Sequence, residues 1–205
     1  MISAYEMYLD INKHLMNDEK PSIYLNSIFN SESFKQKPFD ILKKLKYTEQ
    51  SKKYHPEGNV WNHTMLVIDE AAKRKLMSNN PCVFMWAALL HDLGKPAATR
   101  RKNGRVTSYN HDKLGSRLTV QFLSHFTEDT EFIKKVSALV RWHMQILFVV
   151  KGTTFSQIAE MKKEIDLKEI ALLGFCDRLG RDNSDINTEK ENIELFLKKC
   201  NKFVI

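Results

Sequence analysis

The sequence predicts an all-α fold, a helical bundle with an N-terminal helical extension, on three observations. Apolar residues recur at intervals of three and four along almost the whole chain. Glycine and proline number only 7 and 5 among 205 residues, too few for a protein built on β-turns. Side chains that cap helices stand where the apolar spacing begins.

The elements follow in order. Residues 3–17 space Met7, Ile11 and Leu15 four apart. Helices are expected over 21–29 and 38–47, each with proline at its first position, where the missing N–H costs nothing. Asn59 caps a long helix reaching about Met77. Pro81 opens the next, whose apolar run makes it the central buried helix, stopped by Gly94 and Pro96. Between Leu93 and Asn110 the periodicity breaks, and Asn103-Gly104 suits a two-residue turn in a loop or very short hairpin. Helical spacing resumes over 111–126 and 128–143. Thr154-x-x-Gln157 and Thr188-x-x-Glu191 fit capping boxes that start helices near Phe155 and Glu189. Asp166 caps the helix that carries Asp177. With no internal repeat or linker, the chain reads as an N-terminal extension, 1–46, packed on a bundle formed by 47–205.

Composition narrows the function. Lys and Arg total 32 against 25 Asp and Glu, a formal net charge of +7 that suits anionic partners but fixes none. Apolar residues at 42% and charged ones at 28% are those of a globular chain. Cys82, Cys176 and Cys200 form no CxxC pair, so neither a disulfide framework nor a thiolate zinc site is expected. No apolar run nears the roughly 18–20 residues of a membrane span, and the start is not a signal peptide. A soluble cytoplasmic protein is therefore expected, with no membrane partner. GxxxxGK[ST], GxGxxG and GxSxG are all missing, which excludes a P-loop, the dinucleotide fingerprint and the hydrolase elbow.

The histidines carry the chemistry. His63 shares a helix face with Val60, Leu66 and Val67; His143 has Leu139 and Val140 behind it and Ile146 and Leu147 ahead. Both imidazoles should point inward. Asp177 shares its face with Ile170 and Leu173, an expensive setting for an unpaired carboxylate. A metal ion resolves that problem, because imidazole and carboxylate are its usual ligands. His91-Asp92 closes the apolar helix, and both can reach one ion only if it sits off the helix end. Simpler roles exist for each residue alone. His14 and His125 read as structural, Asp177 could pair only with Arg181 four residues on, and Lys95 could serve the helix dipole.

As an ordered set, His63, His91-Asp92 and Asp177 resemble the H…HD…D signature of the HD-domain superfamily of metal-dependent phosphohydrolases. The stretches HPEGNVWNHTMLVIDEA, AALLHDLGKP, TSYNHDKLGS and CDRLGRDN are similar to the HD domain attached to some bacterial tRNA nucleotidyltransferases. No glycine-serine-rich strand with Asp-x-Asp precedes them, so a free-standing HD hydrolase is implied rather than nucleotide addition to tRNA. The resemblance implies an all-α bundle of five or more helices. It also implies a divalent ion, of unassigned identity among Mn, Fe, Mg, Ni, Co and Zn, held by His63, His91, Asp92 and Asp177. His111 and His143 match positions that hold a second ion in two-metal relatives, with Asp92 bridging.

The expected reaction is hydrolysis of a nucleotide or other small phosphate ester by metal-activated water. Asp92 would hold metal and orient the water, and Lys95 would neutralise a phosphate oxygen. Arg181 is a candidate for the phosphate or for Asp177. Arg101 and Arg105, in a basic loop with Arg100 and Lys102, could steer an anionic substrate, although a solvated turn explains that loop equally. His55 is unassigned, and Glu57 is a weaker candidate for proton transfer or substrate contact. Two rival classes remain: a di-iron HD-type oxygenase using the same His/Asp set, and a non-catalytic RNA-binding or regulatory module.

Overall fold

The structure, a computed structural model, describes residues 2–203. Among the described residues the chain is all-α apart from one short hairpin and an isolated Glu49–Asn59 bridge. Helix α1 (Ala4–Asn17) starts at Ser3, whose hydroxyl accepts from Glu6 N while the Glu6 carboxylate accepts from Ser3 N. Its Met7, Ile11 and Leu15 are buried, as their spacing predicts. Each such apolar side chain stabilises the fold by about 1.5–3 kcal/mol before conformational entropy is counted. Helix α2 (Pro21–Ile28) carries proline in its first turn. A one-turn helix, α3 (Glu32–Lys35), was not expected. Pro38 falls outside the next helix, which is only α4 (Asp40–Lys43) extended by a 3-10 turn, Lys44–Tyr47.

Asn59 does cap α5 (Val60–Ala72), its side chain accepting from Asn62 N. The helix ends sooner than its pattern suggests, because Arg74 leaves helical dihedrals and Lys75 turns away to hold the last carbonyls of α1. A separate 3-10 turn, Lys75–Met77, follows. Helix α6 (Pro81–Leu90) is the central one: every residue from Val83 to Leu90 is buried. After it come α7 (Lys95–Ala98) and a two-stranded antiparallel hairpin, β1 (Arg100–Lys102) and β2 (Arg105–Thr107), turned at Asn103-Gly104, both with positive φ. Helices α8 (His111–Leu123) and α9 (Thr130–Trp142) form an antiparallel pair.

The C-terminal part holds two corrections. Thr154 starts no helix. Helix α10 (Gln145–Lys151) ends at Gly152 in left-handed conformation, and α11 begins only at Ile158 (Ile158–Glu164). The Gln157 N–H that the capping box would use is bound to Gln145 Oε1 instead. Thr188 likewise sits inside a first turn: Asp185, three residues earlier, accepts from Thr188 N and caps α13 (Ile186–Lys202). Asp166 caps α12 (Leu167–Leu179) as expected.

Helix α6 packs against α1, α5, α9 and α12, so the bundle closes around it. The N-terminal residues share this core. Tyr8 stacks on Trp86 and Phe126, and Phe39 meets Phe122 and Phe126. Among the described residues no helix is long and apolar enough to cross a membrane.

Candidate metal centre

Helix ends build the site. His63 lies one turn into α5 and is fully buried. His91 is the C-cap of α6 and Asp92 follows, so the backbone is already leaving the helix where both side chains project. His111 is the first residue of α8, and His143 caps the end of α9. Asp177 comes from α12, three residues before Gly180. Two glycines let these elements close. A Cβ on Gly94 would lie 2.1 Å from His111 O and 2.6 Å from Gly115 N, so the 91–94 turn lies directly on the start of α8. One on Gly180 would lie 2.9 Å from Val67 N, so the end of α12 lies on the helix that carries His63.

Within this frame six sequence-derived residues converge. His63 Nε2 is 2.9 Å from Asp177 Oδ1 and 3.9 Å from Asp92 Oδ2. His91 Nε2 is 3.2 Å from Asp92 Oδ2 and 4.0 Å from Asp177 Oδ1. On the other side, Asp92 Oδ1 is 3.5 Å from His111 Nε2 and 3.8 Å from His143 Nε2, and those two nitrogens are 3.2 Å apart. Asp92 thus turns one oxygen toward each half of the cluster. Ligand atoms about 2.1 Å from a common ion lie roughly 3–4 Å from one another, so the spacing fits.

The other ring nitrogens decide what these atoms offer. Nδ1 of His91 faces Ala88 O at 2.9 Å, that of His143 faces Val140 O at 2.7 Å, and that of His111 faces Ser108 O at 2.6 Å. His63 Nδ1 faces Glu57 Oε1 at 2.9 Å and Gly180 O at 3.2 Å. Carbonyls and ionised carboxylates only accept, so each Nδ1 carries a hydrogen and each Nε2 is the atom aimed at the cluster; His63 Nε2, 2.9 Å from the Asp177 carboxylate, would give up its hydrogen there to ligate a cation. Lone pairs on His111 and His143 then face each other, and His91 Nε2 is buried with no hydrogen-bond partner. Imidazole nitrogens and carboxylate oxygens are the donor types that could hold a divalent cation.

Electrostatics agree. Burial drives Asp92 upward, but the Lys95 ammonium and the imidazoles of His91 and His111 hold it well below the usual carboxylate range. Burial likewise opposes Asp177, yet Arg181 and His63 keep it well below that range too. Both carboxylates are therefore ionised. Burial lowers His111, and burial with the neighbouring imidazoles lowers His143 to about 4, so these rings stay neutral as ligands must. His63 goes the other way. Burial alone would lower it, but hydrogen bonds to Asp177 and Glu57 raise it, reflecting a demand for positive charge at Nε2.

Lys95 Nζ lies 2.7 Å from Asp92 Oδ2, an ion-pair distance reached without hydrogen-bond alignment, and donates to Gln50 Oε1 at 2.6 Å. Asp92, Lys95, His111, His143, Asp177 and Arg181 all border one cavity of about 890 Å³. Arg181 reaches Asp177 Oδ2 at 3.6 Å, so the pairing with Asp177 and a place on the cavity wall hold together. Arg101 and Arg105 are not brought to that wall. They sit exposed on the hairpin, Arg101 3.8 Å from Glu49.

Two residues carried little signal in the sequence. Glu57 does not border the cavity; its carboxylate takes His55 Nδ1 at 2.8 Å and His63 Nδ1, which fixes the orientation of His63. Its place shortly before His63, in the HPEG word, makes it a weaker candidate for proton transfer or substrate contact rather than for orienting a ring. Gln50 reaches Lys95 across 45 positions, and no local spacing marks it.

Comparison with known proteins places these residues in a family context. The family model described as "HD domain" matches residues 60–180. The chain is 36% identical to the A-adding tRNA nucleotidyltransferase of Deinococcus radiodurans over 78 residues, 36% of this chain and 18% of that protein. It is 27% identical to the Multifunctional CCA protein of Actinobacillus pleuropneumoniae serotype 5b over 186 residues, 87% of this chain and 42% of the relative. The Multifunctional CCA protein of Haemophilus influenzae is 25% identical over 190 residues, 88% of this chain and 44% of the relative. The chain therefore spans less than half the length of these relatives.

Proposed function

The chain belongs to the HD domain family, and on that premise we propose that it is a metal-dependent phosphohydrolase acting on a nucleotide or another small phosphate ester. The observation that carries this reading is the convergence of four imidazole Nε2 atoms and two ionised carboxylates beside a cavity with cationic walls. His63, His91, Asp92 and Asp177 would hold one divalent ion, and Asp92 with His111 and His143 would hold a second. Such an ion supplies an acidified water and a Lewis acid for a phosphoryl oxygen.

The chain's own groups supply the rest. Asp92, ionised and paired with Lys95, would orient the attacking water by accepting a hydrogen bond from it. Lys95 and Arg181 on the cavity wall neutralise phosphoryl oxygens, the first as a point charge and the second through its planar fork. Arg101 and Arg105 act at a distance, drawing an anion toward the mouth by their field. Residues 47–205 form the catalytic unit in this reading, and 1–46 cover it. A cytoplasmic setting goes with it.

The full split of Asp92 between two halves of the cluster also favours a second reading, a di-iron HD-type oxygenase. The relatives' names keep a third in view, a module that binds RNA without catalysis. One panel separates them: phosphomonoesters and phosphodiesters are offered to metal-replete protein while inorganic phosphate and dissolved oxygen are followed. Ester cleavage without oxygen uptake is the expected result. Oxygen consumption without ester cleavage would replace the hydrolase reading. Salt-sensitive RNA binding that survives His91→Ala, with no turnover, would favour the third.

A further inference from the structure

Gln50 lies outside the region matched by the family model and belongs to a segment pinned to the start of α5. Glu49 forms a β-bridge with Asn59, and Val60 N donates to Thr48 O at 3.1 Å. The residue is 8% exposed and borders the cavity beside Lys95. Its amide has one defined orientation. Oε1 must face the Lys95 ammonium, because Nε2 in that place would set donor against donor. Nε2 is left buried with no hydrogen-bond partner. A buried donor without an acceptor costs about 1–3 kcal/mol, so its retention calls for a group that supplies one.

A second orphan donor borders the same cavity. Arg181 Nε is buried and unpartnered, although its guanidinium also reaches toward Asp177. Two residues with N–H donors that lack acceptors, and the Lys95 ammonium, therefore line a cavity that Asp92 also borders. What they lack in common is an oxygen acceptor carrying negative charge. Asp92 and Asp177 cannot supply it to Gln50, since Lys95 stands between Gln50 and Asp92, and Asp177 is turned to His63 and Arg181.

We propose that Gln50 is a substrate-binding residue: its Nε2 donates to a non-bridging phosphoryl oxygen, completing an oxyanion cradle with Lys95 and Arg181. The role rests on the phosphohydrolase reading for the identity of its ligand. Gln50 makes the cradle selective as well as attractive, because it has a fixed direction that a bare ammonium lacks.

The test is titration calorimetry of inorganic phosphate into the metal-replete 205-residue chain. Gln50→Met keeps the length of the side chain and removes both polar atoms; phosphate affinity is expected to fall about tenfold, the weight of one charge-assisted hydrogen bond. Gln50→Glu retains an oxygen for Lys95 but puts an anion where the donor was, and should lose phosphate binding altogether. Circular dichroism and the urea midpoint confirm that each variant folds, and Gln50→Asn, a shorter donor, should recover part of the affinity. Repeating Gln50→Met in a Lys95→Met background separates touching from positioning: the penalty persists if Gln50 contacts phosphate itself. Wild-type-like affinity in Gln50→Met, or a penalty that vanishes once Lys95 is gone, overturns the proposal even if the protein hydrolyses phosphate esters. Loss of the hydrolase reading would look different, as a wild-type protein that cleaves no ester in the panel.

Discussion

Gly94→Ala tests whether the close approach of the 91–94 turn to α8 is what assembles the site. The added carbon would start 2.1 Å from His111 O and 2.6 Å from Gly115 N, and both atoms are backbone. Ordinary contact is roughly 3.5 Å, so no rotamer change relieves the clash and the first turn of α8 must retreat by about 1 Å or more. His111 heads that turn, 3.5 Å from Asp92 Oδ1, and would leave with it. Overpacking of this kind costs about 1–3 kcal/mol. A displacement of about 1 Å at a reacting centre costs about a hundredfold in rate. Urea unfolding, metal content and phosphate-ester turnover would be measured side by side. The expected result is a stability loss in that range, weakened binding of the ion that His111 and His143 would share, and a turnover loss near two orders of magnitude. An alanine variant with unchanged urea midpoint and turnover would refute the close-packing argument.

The same geometry yields two further expectations. His143 is lowered to about 4 by burial and neighbouring imidazoles, and His111 is lowered mainly by burial. In the unfolded chain both titrate near about 6.5, so the unfolded state binds more protons between roughly pH 6.5 and 4. Metal-free protein should lose stability as pH falls through that window, by at most about 3 kcal/mol from His143. His63 is raised and acts above the window, while Asp92 and Asp177 act below it. Urea midpoints at about pH 6.5 and about pH 4.5, inside the window, check the sign, and a flat profile between them would contradict it. Glu57→Ala leaves His63 Nδ1 only the longer contact to Gly180 O, so metal affinity by chelator competition should fall about 10–100-fold, with Glu57→Gln recovering part.

Much of this architecture was legible in the sequence, and the reasons are local ones. Asn59 and Asp166 cap the helices that carry His63 and Asp177, and both use a side chain two or three residues from its target. The apolar run from Val83 to Leu90 forces α6 to the centre and delivers His91-Asp92 at its end. Legibility fails where two local solutions compete. Asp185 and Thr188 both suit an N-cap, and the chain takes the earlier residue, whose carboxylate reaches Thr188 N at 2.8 Å. Thr154 loses because Gln145, on another helix, captures the Gln157 N–H. It fails again where a residue matters only through a distant partner. Gln50 is a loop glutamine until Lys95 arrives, and Glu57 is a loop acid until His63 turns toward it. The hairpin arginines stay open as in the sequence, where the basic run suits a steering loop or a solvated turn equally, because exposure of Arg101 and Arg105 on the hairpin fits both.

The central claim is that the His/Asp cluster holds a divalent cation, and metal analysis tests it directly. Protein purified without chelator, and again after dialysis against manganese, is assayed for ions per chain beside Asp92→Asn, an isosteric change at the carboxylate that faces both halves of the cluster. The account predicts at least one ion per wild-type chain and none held tightly by the variant, with helical content unchanged in both. A wild-type protein that takes up no divalent metal, or an Asp92→Asn variant that keeps its full complement, would contradict it.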